Sequence, residues 1–226
     1  MHITAMQNCR HFYEFYVASR VGMVSDYTVV EIGSQNVNGS LRELFDNRFK
    51  YIGVDFVEGN GVDVVLGDPY KFPFPDNYAD CIVCSSVLEH SEFFWVVFLE
   101  IMRILKPNGV FYMNAPSNGT FHRYPVDCWR FYPDSGRALA NWANHNGMSV
   151  ILLESYTSLQ QQDPFNDFVA VFLKDGAFLD QYPDRILNHV EGLQNGLTHP
   201  NLDQFHNEFE WPEDQRKLLE IGRTSR

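Results

Sequence analysis

Residues 29–39 read VVEIGSQNVNG: an apolar run carrying one acid, then a glycine, a polar loop and a second glycine. A buried strand that ends in a glycine turn offers bare backbone at a sheet edge, where a small molecule can approach closely. Outward from it, strand and helix signals alternate. Residues 7–20 read as a helix with Phe12, Phe15, Tyr16 and Ala18 on its apolar face. TVVEIG (28–33), YIGVDF (51–56), DVVLGD (63–68) and ADCIVCSS (79–86) read as strands, and SLRELFDN (40–47) as a helix. EFFWVVFLEIMRILK (92–106) predicts a long, mostly buried helix, because Glu92, Glu100, Arg103 and Lys106 share one narrow arc. Ser91 is its candidate N-cap and Pro107-Asn108-Gly109 its stop. GVFYMNAP (109–116) is a fifth strand, a helix follows near 134–145, and SVILLESYT (149–157) and DFVAVFLKD (167–175) are strands joined closely enough to pair antiparallel.

This alternation predicts an α/β fold: an open, doubly wound sheet with its ligand at the carboxyl ends of the strands. Residues 1–175 form the domain, with an N-terminal helix. Residues 176–226 lack strand signals and read as a helical C-terminal appendage, not a separate domain. Pro212 would begin a last helix with Leu218, Leu219 and Ile221 on one side. There is no internal repeat, and QQQ at 160–162 is the one biased run.

The chain has 226 residues, 45% of them hydrophobic, enough for one full core. No apolar run reaches the ~20 residues that span a bilayer, and MHITAMQNCRHFYEF does not read as a signal peptide. The formal charge of −12 disfavours nucleic acid, since no basic stripe offsets it. Cys9, Cys81, Cys84 and Cys128 are too few for a disulfide scaffold. Cys81 and Cys84 are three apart on a strand, so they point to opposite faces and suit neither a metal nor a dithiol. They read as core thiols of a cytoplasmic protein.

A dinucleotide would call for three glycines in G-x-G-x-x-G, and from Gly33 onward only the first is present. S-adenosylmethionine suits the stretch better, because it has no phosphate. Glu31 can hold its ammonium or a water, and the backbone after Gly33, through Ser34, Gln35 and Gly39, can face the ligand. Asp55 at the next strand tip can accept both ribose hydroxyls, with Phe56 against the adenine. Asp68, beside Pro69, can accept the adenine amino hydrogen. Taken singly, each acid is more often a cap or turn former than a ligand, and Gly33 a plain turn. Their shared place at one sheet edge favours the ligand reading.

EIGSQNVNGS, YIGVDF, GVDVVLGDPYKFPFPDNYADCIVCSSVLEH and RILKPNGVFYMNAPS resemble the successive motifs of the class I S-adenosylmethionine-dependent methyltransferases, methyltransferase domain type 11. The resemblance covers roughly residues 26–175. It implies a Rossmann-like sheet of about seven strands with the last antiparallel. It also implies cofactor contacts at Glu31, Gly33, Asp55, Asp68, Ser85 and Ser86. Gln35 stands where many members have a second glycine, which changes the path expected of the loop.

Methyl transfer to a hydroxyl calls for orientation and a base. In VLEH (87–90), His90 is a candidate base, though a helix cap or a bond to a loop carbonyl ranks slightly ahead of that role. In SNGTFHRYPVDCWRFYPDS (117–135), His122 or Asp127 can take a proton. Tyr124 and Trp129 can face a sugar ring, and Arg130 can fork onto a carboxylate or phosphate. The same stretch also reads as a packed lid, with Phe131 and Tyr132 in the core, an Asp127–Arg130 ion pair, and Asp134 or Ser135 as a helix cap. Its H-R-Y-P-x-D-C-W-R-F-Y-P run resembles methyltransferases of surface polysaccharide assembly, which implies a sugar hydroxyl as acceptor. The scattered histidines and acids show no metal-ligand spacing. The competing readings are N-methylation of a small molecule or protein, and a non-catalytic module in which Phe205, Phe209 and Trp211 form a partner or homodimer surface. A cofactor-dependent oxidoreductase ranks last, because the glycine pattern fails.

Overall fold

The computed structural model describes residues 3–21, 26–159 and 165–209. The reading of QQQ and that of a helix after Pro212 lie outside them, as does Trp211. Nine strands form one sheet: β1 (Thr28–Ile32), β2 (Lys50–Asp55), β3 (Val64–Val65), β4 (Ala79–Ser85), β5 (Leu105–Pro116), β6 (Ile151–Ser158), β7 (Asp167–Leu173), β8 (Gln194–Thr198) and β9 (Asn201–His206). Their spatial order is β3-β2-β1-β4-β5-β7-β6-β8-β9. The first five pair in parallel, with Val30 opposite both Ile52 and Ile82. β7 enters antiparallel between β5 and β6, as expected of the last strand of such a sheet.

Burial on both faces explains the near-continuous apolar strands. On one face α2 (Phe94–Ile104) and α3 (Ser135–His145) pack on Val30, Ile82, Phe111 and Phe172. On the other, α1 (Ile3–Phe12) and the π and 3₁₀ turns that follow it bring Cys9, Phe12 and Tyr16 onto Val29, Val83 and Tyr112. Cys84 belongs to the first core and Cys81 to the second, as the strand period requires. Among the described residues no helix is long and apolar enough to cross a membrane.

Several elements differ from expectation. Residues 40–47 form only a 3₁₀ turn at Leu41–Leu44, because Asp46 captures the amide and guanidinium of Arg48 and closes a turn. Helix α2 stops at Ile104, where residues 77–78 donate to its last carbonyls and Leu105 already pairs with Ala79. Ser91 does not cap it: Phe93 occupies that position, and the Ser91 carbonyl accepts from Trp129 Nε1. Strand β3 is two residues long, so Asp68 lies beyond it in a turn. The stretch read as a helical appendage has 3₁₀ turns at Gly176–Gln181 and Ile186–Asn188, but its next elements are β8 and β9, which extend the sheet from β6. That makes nine strands among the described residues where about seven were expected.

Candidate active site

The carboxyl ends of β1, β2 and β4 meet at the site. Beyond β1, Gly33 turns the chain with φ of +78°, and a Cβ there would run into the Val87 side chain. Only glycine satisfies both demands. The Gly33 and Ser34 amides donate to the Val54 carbonyl at 2.8 and 3.1 Å, which holds the turn against β2. Gly39 also has positive φ, and its amide donates to Asn36 Oδ1.

Asp55, buried at the end of β2, accepts from the Gln35 amide (3.1 Å) on Oδ2 and from the Phe56 (2.8 Å) and Val57 (3.3 Å) amides on Oδ1. The two strand tips are thereby clasped by one carboxylate. Phe56 is 48% exposed and free to stack. Ser34 Oγ is buried with no hydrogen-bond partner among the described residues. Glu31, buried, accepts from the Tyr51 hydroxyl (2.8 Å), and burial pushes its carboxyl up to about 7. Ser85 ends β4, and Ser86 turns in the left-handed region while its amide donates to the Asn114 carbonyl. Asp68 and Pro69 are exposed, and Asp68 closes a turn onto the Tyr70 and Lys71 amides. A glycine turn, a strand-tip carboxylate and an open aromatic ring fit a ligand with an amino-acid tail, a ribose and an adenine.

The acceptor side begins one turn away. The His90 amide donates to the carbonyl of Val87, the residue that packs on Gly33, through a 3₁₀ turn at Leu88–His90. Glu89 within it is 1% exposed, and neither carboxylate oxygen has a hydrogen-bond partner among the described residues. Burial pushes its carboxyl up to about 8. The Glu89 carbonyl accepts from the Cys128 and Trp129 amides, which pins the loop 117–134 over the turn. His90 sets Nδ1 against the Val126 carbonyl and Nε2 3.6 Å from Glu89 Oε1, and burial lowers its pKa. The His122 ring stands perpendicular to it at 4.9 Å, with Nδ1 3.2 Å from the Thr120 carbonyl.

Asp127 is not available as a base. Arg130 grips both its oxygens (2.6 and 2.9 Å), the His122 amide donates to one, and the carboxyl is held down to about 2. The Arg130 fork is likewise spent on Asp127 and on the Thr120 and Trp129 carbonyls, not open to a substrate. Phe131 is core, as expected, whereas Tyr132 is 61% exposed. Asp134 holds the N-cap position of α3 but bonds Arg137 and not the helix amides. Trp129 packs edge-on against Phe94 and Trp95 at the surface. The Tyr124 hydroxyl donates to Gln35 Oε1 (3.1 Å), so the acceptor loop touches the glycine loop directly. The sequence reading passed over Glu89, although the E-H pair in VLEH was its signal. The packing of Val87 on Gly33 and the Tyr124–Gln35 contact were also not visible from spacing.

Residues 16–113 match the family model of a methyltransferase domain. The chain is 29% identical over 110 residues to the ubiquinone/menaquinone biosynthesis C-methyltransferase UbiE of Pseudomonas fluorescens, spanning 47% of this chain and 41% of that one. Among solved structures, the 1,6-didemethyltoxoflavin-N1-methyltransferase of Burkholderia thailandensis, crystallised with S-adenosylhomocysteine, superposes with a TM-score of 0.54 at 14% identity, over 76% of this chain and 78% of that one. The [4+2]-cyclase SpnF superposes at 0.55 and 13% identity, over 75% and 81%. The fold is therefore the Rossmann-like sheet of class I methyltransferases, a frame that by the second of these names also carries other chemistry.

Proposed function

We propose that this protein, whose residues 16–113 match a methyltransferase-domain model, transfers a methyl group from S-adenosylmethionine to a hydroxyl of a sugar or another small polar molecule. The observation that carries the hydroxyl assignment is the Glu89–His90–His122 cluster, which lies one turn from the Gly33 cradle. A neutral amine acceptor needs less such assistance, whereas a hydroxyl must lose its proton as it attacks.

The cofactor, when bound, supplies a methyl carbon on a positively charged sulfur. The chain does the rest. The Gly33–Gly39 loop gives backbone where a side chain would obstruct, and Asp55 and Phe56 take the ribose and adenine. Glu31 contributes negative charge near the cationic end. Orientation of this kind is worth up to ~7–11 kcal/mol for a well-aligned pair. Tyr124, Trp129 and Tyr132 form an exposed aromatic rim suited to the apolar face of a sugar ring. The cluster relieves the acceptor of its proton. The four described cysteines are free, which fits a reducing, cytoplasmic setting.

Calorimetric binding of S-adenosylmethionine to the native chain and to Asp55→Ala tests the first half. Micromolar affinity, about −8 kcal/mol, falling about tenfold or more in the variant, is expected. No binding to the native chain would overturn the reading. A sugar panel with alanine at His90 and at His122 tests the second half. Full turnover in both variants would move the acceptor from oxygen to nitrogen.

A further inference from the structure

We propose that Glu89, His90 and His122 bind one divalent transition-metal ion on the acceptor side of the site. One ligand atom from each of the three lies within 4.8 Å of the others. Glu89 is fully enclosed, and no donor among the described residues reaches either of its oxygens. An enclosed carboxyl with no donor either keeps its proton or meets a cation, and the two imidazoles gathered beside Glu89 favour the cation. The neighbouring imidazoles do not act as that cation by hydrogen bonding: the nearest approach, His90 Nε2 to Glu89 Oε1, is 3.6 Å.

Both rings are instead oriented as ligands are. His90 Nδ1 lies against the Val126 carbonyl and His122 Nδ1 against the Thr120 carbonyl. A proton on each Nδ1 satisfies those carbonyls and leaves each Nε2 with a lone pair. Ligating histidines are commonly held this way, the outer nitrogen donating to a main-chain carbonyl. The loop that carries His122 is fixed by the Asp127–Arg130 pair and by the Cys128 and Trp129 amides on the Glu89 carbonyl, so the third ligand is not left to a wandering segment.

Two imidazoles and one carboxylate favour zinc, manganese, iron or cobalt over calcium. Three protein ligands leave coordination positions open, which acceptor oxygens can fill. This deepens, and rests on, the hydroxyl reading above: the favoured acceptors carry two neighbouring oxygens, such as vicinal hydroxyls. A hydroxyl bound there is acidified and gives its proton to solvent. Its oxygen then forms the new bond to carbon as the carbon–sulfur bond breaks and its electron pair stays on sulfur. The metal keeps its charge throughout.

The test uses the full chain, stripped with chelator and titrated with Zn²⁺ alone, and with Co²⁺ followed by visible absorbance. One tight site per chain is expected, weakened about tenfold or more in Glu89→Gln and in His122→Ala. His122 lies on a partly exposed loop, so its variant remains informative if the Glu89 variant fails to fold. Absence of binding, or binding undiminished in a folded variant, would overturn the proposal. S-adenosylmethionine binding, measured separately on the same samples, reports on the methyltransferase reading and is independent of either metal outcome.

Discussion

A single Cβ decides the glycine turn. Gly33→Ala would force an L residue into a left-handed backbone and press a methyl on Val87, so we expect a loss of about 1–3 kcal/mol in chemical denaturation together with loss of cofactor binding. Glu31 gives the site a pH dependence. Its carboxyl holds a proton to about pH 7 when folded, against 4.5 when unfolded, so the stability that this group contributes is complete below 4.5 and lost as pH rises through about 7. A bound ammonium reverses that preference by favouring the charged form. Cofactor affinity is therefore expected to tighten as pH climbs through about 7, with proton release in calorimetry, and Glu31→Gln should flatten the profile. Arg130→Met should destabilise by roughly 3 kcal/mol in denaturant, since it strands the enclosed Asp127 carboxylate. The strand-tip places of Gly33 and Asp55 were legible, because residue type and spacing suffice to find them. The choice between site and scaffold for Asp68, Asp127 and Arg130 was not: the sequence offered a turn former and an Asp127–Arg130 pair beside the site roles, and only the hydrogen-bond partners decide between them.

Helix α1 was legible in kind but not in consequence. It closes the face left open by the missing β1–β2 helix, with Phe12 4.8 Å from Tyr112 and 5.6 Å from Tyr16. Phe12→Ala should cost about 3–5 kcal/mol in equilibrium unfolding, the range for an enclosed aromatic. A cost under about 1 kcal/mol would mean that α1 is peripheral. The parallel strands announced themselves through apolar runs buried on both sides. Strands β8 and β9 did not: QNGLT lies between β6 and β9, NLDQFH is the edge strand, both are rich in amides, and β9 is largely exposed. The strand character of β8 comes from pairing with β6, a long-range contact that leaves no local pattern, and β9 in turn pairs with β8.

The sheet as a whole ties residues 176–209 to the rest. The enclosed carboxylate of Glu154 on β6 accepts from the Ile186 and Leu187 amides (2.8 and 3.0 Å) and from the Tyr16 hydroxyl. We accordingly read the C-terminal stretch as part of the domain. Removing residues 176–226 takes two donors from a buried charge and bares the β6 edge, so a loss of at least about 3 kcal/mol, or aggregation, is expected in solubility and denaturation assays. Unchanged stability would make the stretch a true appendage. The Tyr124–Gln35 hydrogen bond has a consequence in time as well as in space. A loop that latches onto the glycine turn makes the order of arrival matter: the nucleoside enters before the latch sets and leaves after it lifts. Tyr124→Phe would leave the latch without its pin, and in stopped-flow both entry and escape should quicken while the equilibrium between them barely moves.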